Sequence, residues 1–223
     1  MSLDFARPAA LSWDFPRDAA GLSVLVGHGR ERGLEAPALL VGTGVHEDDL
    51  LSGEQLVTAR QELRVVRNLR AALPDLFGVE VGARYRAETF GVLGFALLSS
   101  RTLAEAANLA LRFIDLSHTF AIPTPRVEGK RVVVDFDDSA LPDDVARFLV
   151  ERDLTAVWKV LDQLHPVGFA PGRVTFRGAE PVSVGRHRAV LGVDPVFGAT
   201  DNSLAFDAAL LDTRLLGEAR GMP

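Results

Sequence analysis

The chain has 223 residues, of which 48% are hydrophobic and 24% charged, with a net charge of −6 and no cysteine. That length and balance fit one large globular domain or two small ones. The missing cysteines exclude disulfides, thiolate nucleophiles and Cys-based zinc sites, and the acidity removes the main electrostatic argument for direct contact with nucleic acid.

No apolar run reaches the ~18–20 residues of a membrane helix. The N-terminus lacks the basic start and long apolar stretch of a signal peptide. A cytoplasmic protein without membrane contact is expected. Residues 1–17, with Pro8 and Pro16, show no clear period and read as a lead-in, a tag remnant or a disordered segment.

Asp18 can cap a helix that runs to Arg32 and ends at Gly33 in the left-handed conformation. Pro37 suits the first turn of a short second helix, stopped at Gly42 or Gly44. His46–Leu50 reads as an acidic loop. Ser52 and Gln55 have capping-box spacing and predict a helix to about Leu73. Leu56, Ala59, Leu63, Val66, Leu69 and Leu73 would face inward, with Arg60, Glu62, Arg64, Arg67 and Arg70 outward. Phe77–Arg86 predicts a short helix and a loop. Phe90–Leu98 is almost wholly apolar and predicts a buried helical segment. Thr102 and Glu105 form a second capping box, opening an amphipathic helix to about Leu116 with Leu103, Ala106, Ala107, Ala110, Leu111 and Ile114 inward.

The pattern then changes. Phe120–Val127 and Arg131–Phe136 predict a hairpin about Glu128–Lys130, rich in β-branched residues. Pro142 opens a long helix to about His165. Arg173–Phe176 reads as a strand, and Val184–Leu191 as a helix ended by Gly192. Pro195–Gly198 and Leu204–Phe206 read as two more strands. The order predicts an α+β fold: an N-terminal helical subdomain over 18–116, then over 117–215 a small, mainly antiparallel sheet packed by a long helix.

Catalytic and metal-binding patterns are missing. The histidines His28, His46, His118, His165 and His187 include no H-E-x-x-H and no i, i+4 pair, so no metal site, cofactor or catalytic residue is assigned. Gly27, Gly29 and Gly33 lack the spacing and the preceding strand of a dinucleotide loop, and there is no G-x-S-x-G elbow. Gly21–Leu50 has the outline of a helix-turn-helix. Its second helix, Pro37–Val41, offers no Arg, Lys, Asn or Gln to read base edges, so it reads as a packed hairpin.

Four blocks, in order, carry a resemblance. They are Gly33-Leu-Glu-Ala-Pro-Ala-Leu-Leu-Val-Gly-Thr-Gly44, Phe77-Gly-Val-Glu-Val-Gly82, Phe90 through Ala106, and Phe197-Gly-Ala-Thr-Asp-Asn-Ser-Leu-Ala-Phe206 followed by Leu210-Leu-Asp212. Over about residues 18–215 the chain resembles the N-terminal, arabinose-binding-like domain of AraC-type transcriptional regulators. The resemblance implies a sensory domain for a small-molecule effector of unknown identity, a homodimer, and DNA binding through a C-terminal helix-turn-helix domain absent from this chain. It also implies that Phe197–Phe206 closes a hairpin and that residues 216–223 begin a linker.

The motifs themselves read as fold-specifying and mark no pocket. Polar or aromatic residues set among apolar ones are therefore the candidate ligand-binding groups. Arg112 and His118 flank the junction between helices and sheet, and Arg152 and Trp158 lie on the long helix. Either arginine could hold a carboxylate, or lay its stem over apolar surface. A ligand-free dimerisation or protein-interaction module is the alternative reading, and a small-molecule enzyme the third.

Overall fold

The computed structural model describes residues 16–52 and 56–215. Expectations for residues 1–15, for Gln55 and for residues 216–223 lie outside the described residues. Pro16 and Arg17, which the sequence places in the lead-in, stand in a short strand, β1 (Pro16–Asp18), paired antiparallel with β2 (Leu56–Thr58). The N-cap of α1 (Ala20–Glu31) is Ala19, one residue later than expected and without a side-chain cap, while Asp18 just before it accepts the Ala20 N–H at 2.9 Å. Gly33, at φ 84°, turns the chain out of it. α2 (Ala36–Leu40) carries Pro37 in its first turn. The expected acidic loop is a short helix, α3 (Glu47–Ser52).

The next helix starts later than expected. α4 spans Ala59–Ala72, and its cap is Thr58. The Thr58 hydroxyl accepts the Gln61 N–H, while the Gln61 side chain accepts the Thr58 N–H at 2.8 Å. The sequence holds two successive boxes of this spacing, at 52–55 and 58–61. The second prevails because Val57 must point into the core from β2 while Leu56 stays 58% exposed. Glu62, expected on the solvent face, is fully buried.

α5 (Gly78–Gly82) lies against α8 (Ala146–Leu164) at backbone contact. A Cβ at Gly78 would stand 2.0 Å from the Phe148 carbonyl oxygen, and one at Gly82 2.4 Å from that of Arg152. A 3-10 turn at Ala87–Phe90 leads into α6 (Gly91–Leu98). This segment is not wholly buried as expected: Val92 and Phe95 are 83% and 72% exposed. α7 (Leu103–Arg112) is shorter than expected and is followed by a 3-10 turn at Ile114–Leu116. The Thr102 hydroxyl caps it, but the Glu105 carboxylate reaches the Arg101 N–H instead of closing the box on Thr102.

The sheet confirms the expected α+β class. β3 (Ile122–Glu128) and β4 (Arg131–Asp137) form the predicted hairpin about Gly129. β5 (Arg173–Phe176), α9 (Val184–Leu191) and β6 (Val196–Phe197) follow α8, and β7 (Ser203–Asp207) comes last, running into a 3-10 turn at Ala208–Asp212. The strand order is β3-β4-β7-β5-β6. The expected closing hairpin is not there. β6 pairs parallel with β5, while β7 inserts between β4 and β5. Burial explains the choice: Leu204 and Phe206 need neighbours on either side, whereas Val196, 44% exposed, suits an edge. Pro123 and Pro125 stand on the opposite edge strand, where a missing N–H breaks no inner ladder.

One cluster of buried apolar side chains runs from Ala19 and Leu22 to Leu211 and Leu215, drawing on helices and sheet alike. Two glycines test the packing. Gly78→Ala should lower stability by about 3 kcal/mol through overpacking, or roughly 6–12 °C in Tm. Gly27→Ala, in an interior turn of α1 with open space about it, should raise stability by about 0.5–1 kcal/mol. Urea denaturation of the two variants measures both effects.

Candidate functional site

A cavity lies where α6, α7 and α8 meet the sheet. Its floor is one face of the sheet, with Pro123 and Pro125 of β3, Val132 and Val134 of β4, and Phe206 of β7. These residues sit at alternate positions and in register: Pro125 opposes Val134, and Val132 opposes Phe206. Leu93 and Leu97 of α6, and Ala156, Val160 and Leu164 of α8, form two walls. α7 forms the third with Ala106, Ala107 and Ala110, and Leu211 completes it. The space exists because α7 turns three alanines, one, three and four residues apart, toward neighbours that larger side chains would meet.

The volume open to the centre of a water molecule is about 100 Å³, whereas one water needs roughly 10–15 Å³ by that measure. Water is nevertheless a poor occupant, because it needs two to four polar partners. Among the described residues, only Ser117 and Thr119 bring polar side chains to the lining. Ser117 spends its hydroxyl locally, donating to the Ile114 carbonyl at 2.7 Å and accepting the Thr119 N–H at 3.2 Å. Thr119 is left as the polar anchor, and the rest of the wall is hydrocarbon.

Behind the 117–121 segment lies a buried ionic network. Arg152 of α8 is 1% exposed. Its Nη1 donates to Glu62 of α4 at 2.7 Å, its Nε to Asp153 at 2.8 Å and its Nη2 to the His118 carbonyl at 2.7 Å. Asp153 accepts the Phe120 and Ala121 N–H groups at 2.7 and 2.8 Å. Arg17 of β1 donates to the Ser117 carbonyl at 3.2 Å and stands 3.6 Å from Glu62. Two guanidiniums thus balance two carboxylates, and the Phe120 ring lies under both guanidiniums, at 5.1 and 4.7 Å. Burial acts to raise both carboxyls. At Glu62 the Arg17 and Arg152 charges outweigh it and hold the carboxyl below the ordinary carboxylate range, while at Asp153 burial prevails and the pKa is raised. Burial likewise pushes the Tyr85 phenol, beside Arg152, upward.

The four candidate residues read from sequence fall in three places. His118 and Arg152 come together in this network. The His118 ring is 1% exposed, with Nε2 3.2 Å from the Thr89 carbonyl, and it packs on Phe90 at 5.5 Å. Trp158 is buried, donates its indole N–H to the Phe169 carbonyl at 3.1 Å and carries Lys159 over its ring. Arg112 is exposed at the end of α7, its guanidinium 5.7 Å from the Phe113 ring. None of the four lines the cavity. Among the described residues there is also no cluster of His, Asp and Glu fit to hold a metal ion, and no helix long and apolar enough to cross a membrane.

The family described as “Arabinose-binding domain of AraC transcription regulator, N-term” matches residues 33–215. The chain belongs to that family. It is similar to uncharacterized HTH-type transcriptional regulators of Mycobacterium tuberculosis and Mycobacterium bovis, each 36% identical over 129 residues, or 57% of this chain and 38% of the relative. Its fold is shared with the crystal structure of the transcriptional regulator CdpR from Pseudomonas aeruginosa, at a TM-score of 0.61 and 18% identity, covering 94% of this chain and 60% of CdpR. The match therefore spans 38% of the length of the mycobacterial relatives and 60% of that of CdpR.

The network makes a pH-dependent prediction. Glu62→Gln leaves two buried guanidiniums facing one carboxylate and should cost about 3 kcal/mol at pH 7. A carboxyl whose folded pKa is lowered contributes its stability above the unfolded value and loses it as pH falls through the folded value. The gap between wild type and Glu62→Gln should thus be full above about pH 4.5 and narrow below it. Urea denaturation at pH 7 and at pH 4 or lower measures the gap.

Proposed function

We propose that this chain is the effector-sensing part of an AraC-type regulator, that its effector occupies the cavity between α7, α8 and the sheet, and that it performs no chemistry of its own. What carries the reading is a shared wall. α7 lines the cavity with three alanines, and its first turn also holds the segment that follows β7. The Leu103 N–H donates to the Thr213 carbonyl at 3.2 Å, the Leu215 N–H donates to the Arg101 carbonyl at 3.0 Å, and Thr102 bridges to Arg214. Leu211, in the same segment, reaches into the cavity. A molecule that fits one position of α7 better than another biases this segment by its differential affinity for the two. A helix-turn-helix domain joined beyond residue 215, of the kind named in the mycobacterial relatives, would take its orientation from there. Such a regulator acts in the cytoplasm, and its acidic sensory part leaves DNA contact to the other domain.

A second reading rests on the face that α6 leaves bare. Val92 and Phe95 are three residues apart and exposed, which suits a homodimer contact. The two readings are compatible, but an interaction module without an effector needs no cavity.

A thermal-shift screen of amino acids, sugars, fatty acids, alcohols and small aromatics separates them. A cavity ligand at a hundred times its Kd adds about 2.7 kcal/mol, or roughly 5–10 °C in Tm. Ala110→Phe, which fills the cavity, should abolish that shift. No shift with any compound, together with a stable dimer in sedimentation, would favour the interaction module.

A further inference from the structure

Resting on the reading of the cavity as the effector site, the wall chemistry narrows what the effector can be. We infer that the cavity takes a neutral, largely apolar molecule with a single hydrogen-bonding group, such as a medium-chain alcohol or a small aromatic alcohol, and that it rejects carboxylates, amino acids and sugars.

Among the described residues, no Arg, Lys, His, Asp or Glu lines the cavity. The buried cations Arg17 and Arg152 are held on the 117–121 backbone, bonded to the Ser117 and His118 carbonyls. Every nitrogen of the Arg152 guanidinium is already bonded, to Glu62, Asp153 and the His118 carbonyl. Arg17 is turned to the Ser117 carbonyl and to Glu62. A carboxylate in the cavity would lose its hydration and gain no counter-charge. A sugar would bury several hydroxyls against a wall that offers only the Thr119 hydroxyl, and each unmatched one counts against it. An apolar molecule has neither difficulty, and it displaces no well-bonded water. The volume suits roughly seven to ten heavy atoms, taking each as about one water. The sugar in the family's name is therefore a poor fit to this member's cavity.

Calorimetry of the chain with 1-octanol, octanoate and L-arabinose at pH 7 tests this. Octanol should bind at least tenfold more tightly than octanoate, and arabinose should not bind. Thr119→Val should weaken octanol several-fold and leave toluene unchanged, since toluene has no hydroxyl to place. Ala110→Phe should abolish binding of both. Ala107→Leu serves where that variant does not fold. Octanoate or arabinose binding as tightly as octanol would overturn the inference, as would octanol binding that survives the filling substitutions. Octanol binding only after removal of residues 1–15 would also overturn it, by making the chain's own N-terminal residues the occupant. The sensory reading fails separately: octanol bound as expected, with no change in DNA affinity of a regulator that contains this chain, would sink that reading and uphold the cavity chemistry. A charged compound from the wider screen whose shift Ala110→Phe removes would do the reverse.

Discussion

Arg152 places a full positive charge where no water reaches it, and the surrounding structure is arranged to answer that charge. Glu62 comes from α4, Asp153 from the next position on α8, and the His118 carbonyl from the junction between helices and sheet. A buried ion pair adds little net stability over well-packed apolar groups, yet breaking one is costly. Such a network therefore acts more on where elements sit than on how firmly they are held. Here it sets three things at once: the depth of α4, the position of β1 through Arg17, and the path of residues 117–121 across the back of the cavity.

That path is what gives the cavity its character. By holding the 117–121 backbone through its carbonyls and N–H groups, the network absorbs the local polarity on its own side. The side chains of Ser117 and Thr119 are left toward the cavity, and Ser117 turns back on its own chain. The most highly charged part of the core thus lies behind one of its most apolar spaces, separated by a single strand of chain. The charge of the protein interior is concealed from a ligand by the residues that charge positions.

The frame is legible in the sequence, and the cavity is not. Period and capping placed most helices within a few residues, and β-branched runs placed the strands. Strand order was beyond it: nothing local says that Leu204 and Phe206 sit between β4 and β5, because pairing partners are chosen by burial across the whole sheet. Glu62 was misplaced because its charge outweighed its position, although it falls four residues before Val66 and seven before Leu69, on the inward arc of α4. Polar side chains set among apolar ones point to His118 and Arg152, which do meet, in the buried ionic network and not at the cavity. Ala106, Ala107 and Ala110 were rightly read as inward, yet an alanine facing empty space and an alanine facing a packed neighbour look alike in sequence. What distinguishes them is the size of residues distant in the chain.

The glycines of α5 bear on how this domain can move. At Gly78 and Gly82 two backbones touch without side chains between them, so α5 and α8 have no compliant layer through which to slide. Packed matter of that kind yields in steps, not continuously. α7 meets the cavity through methyl groups and open space and has no such contact there. The cavity therefore has one wall, α8, locked to the frame by glycine contacts and another, α7, without them, and α7 is the helix to which residues 213–215 are fastened.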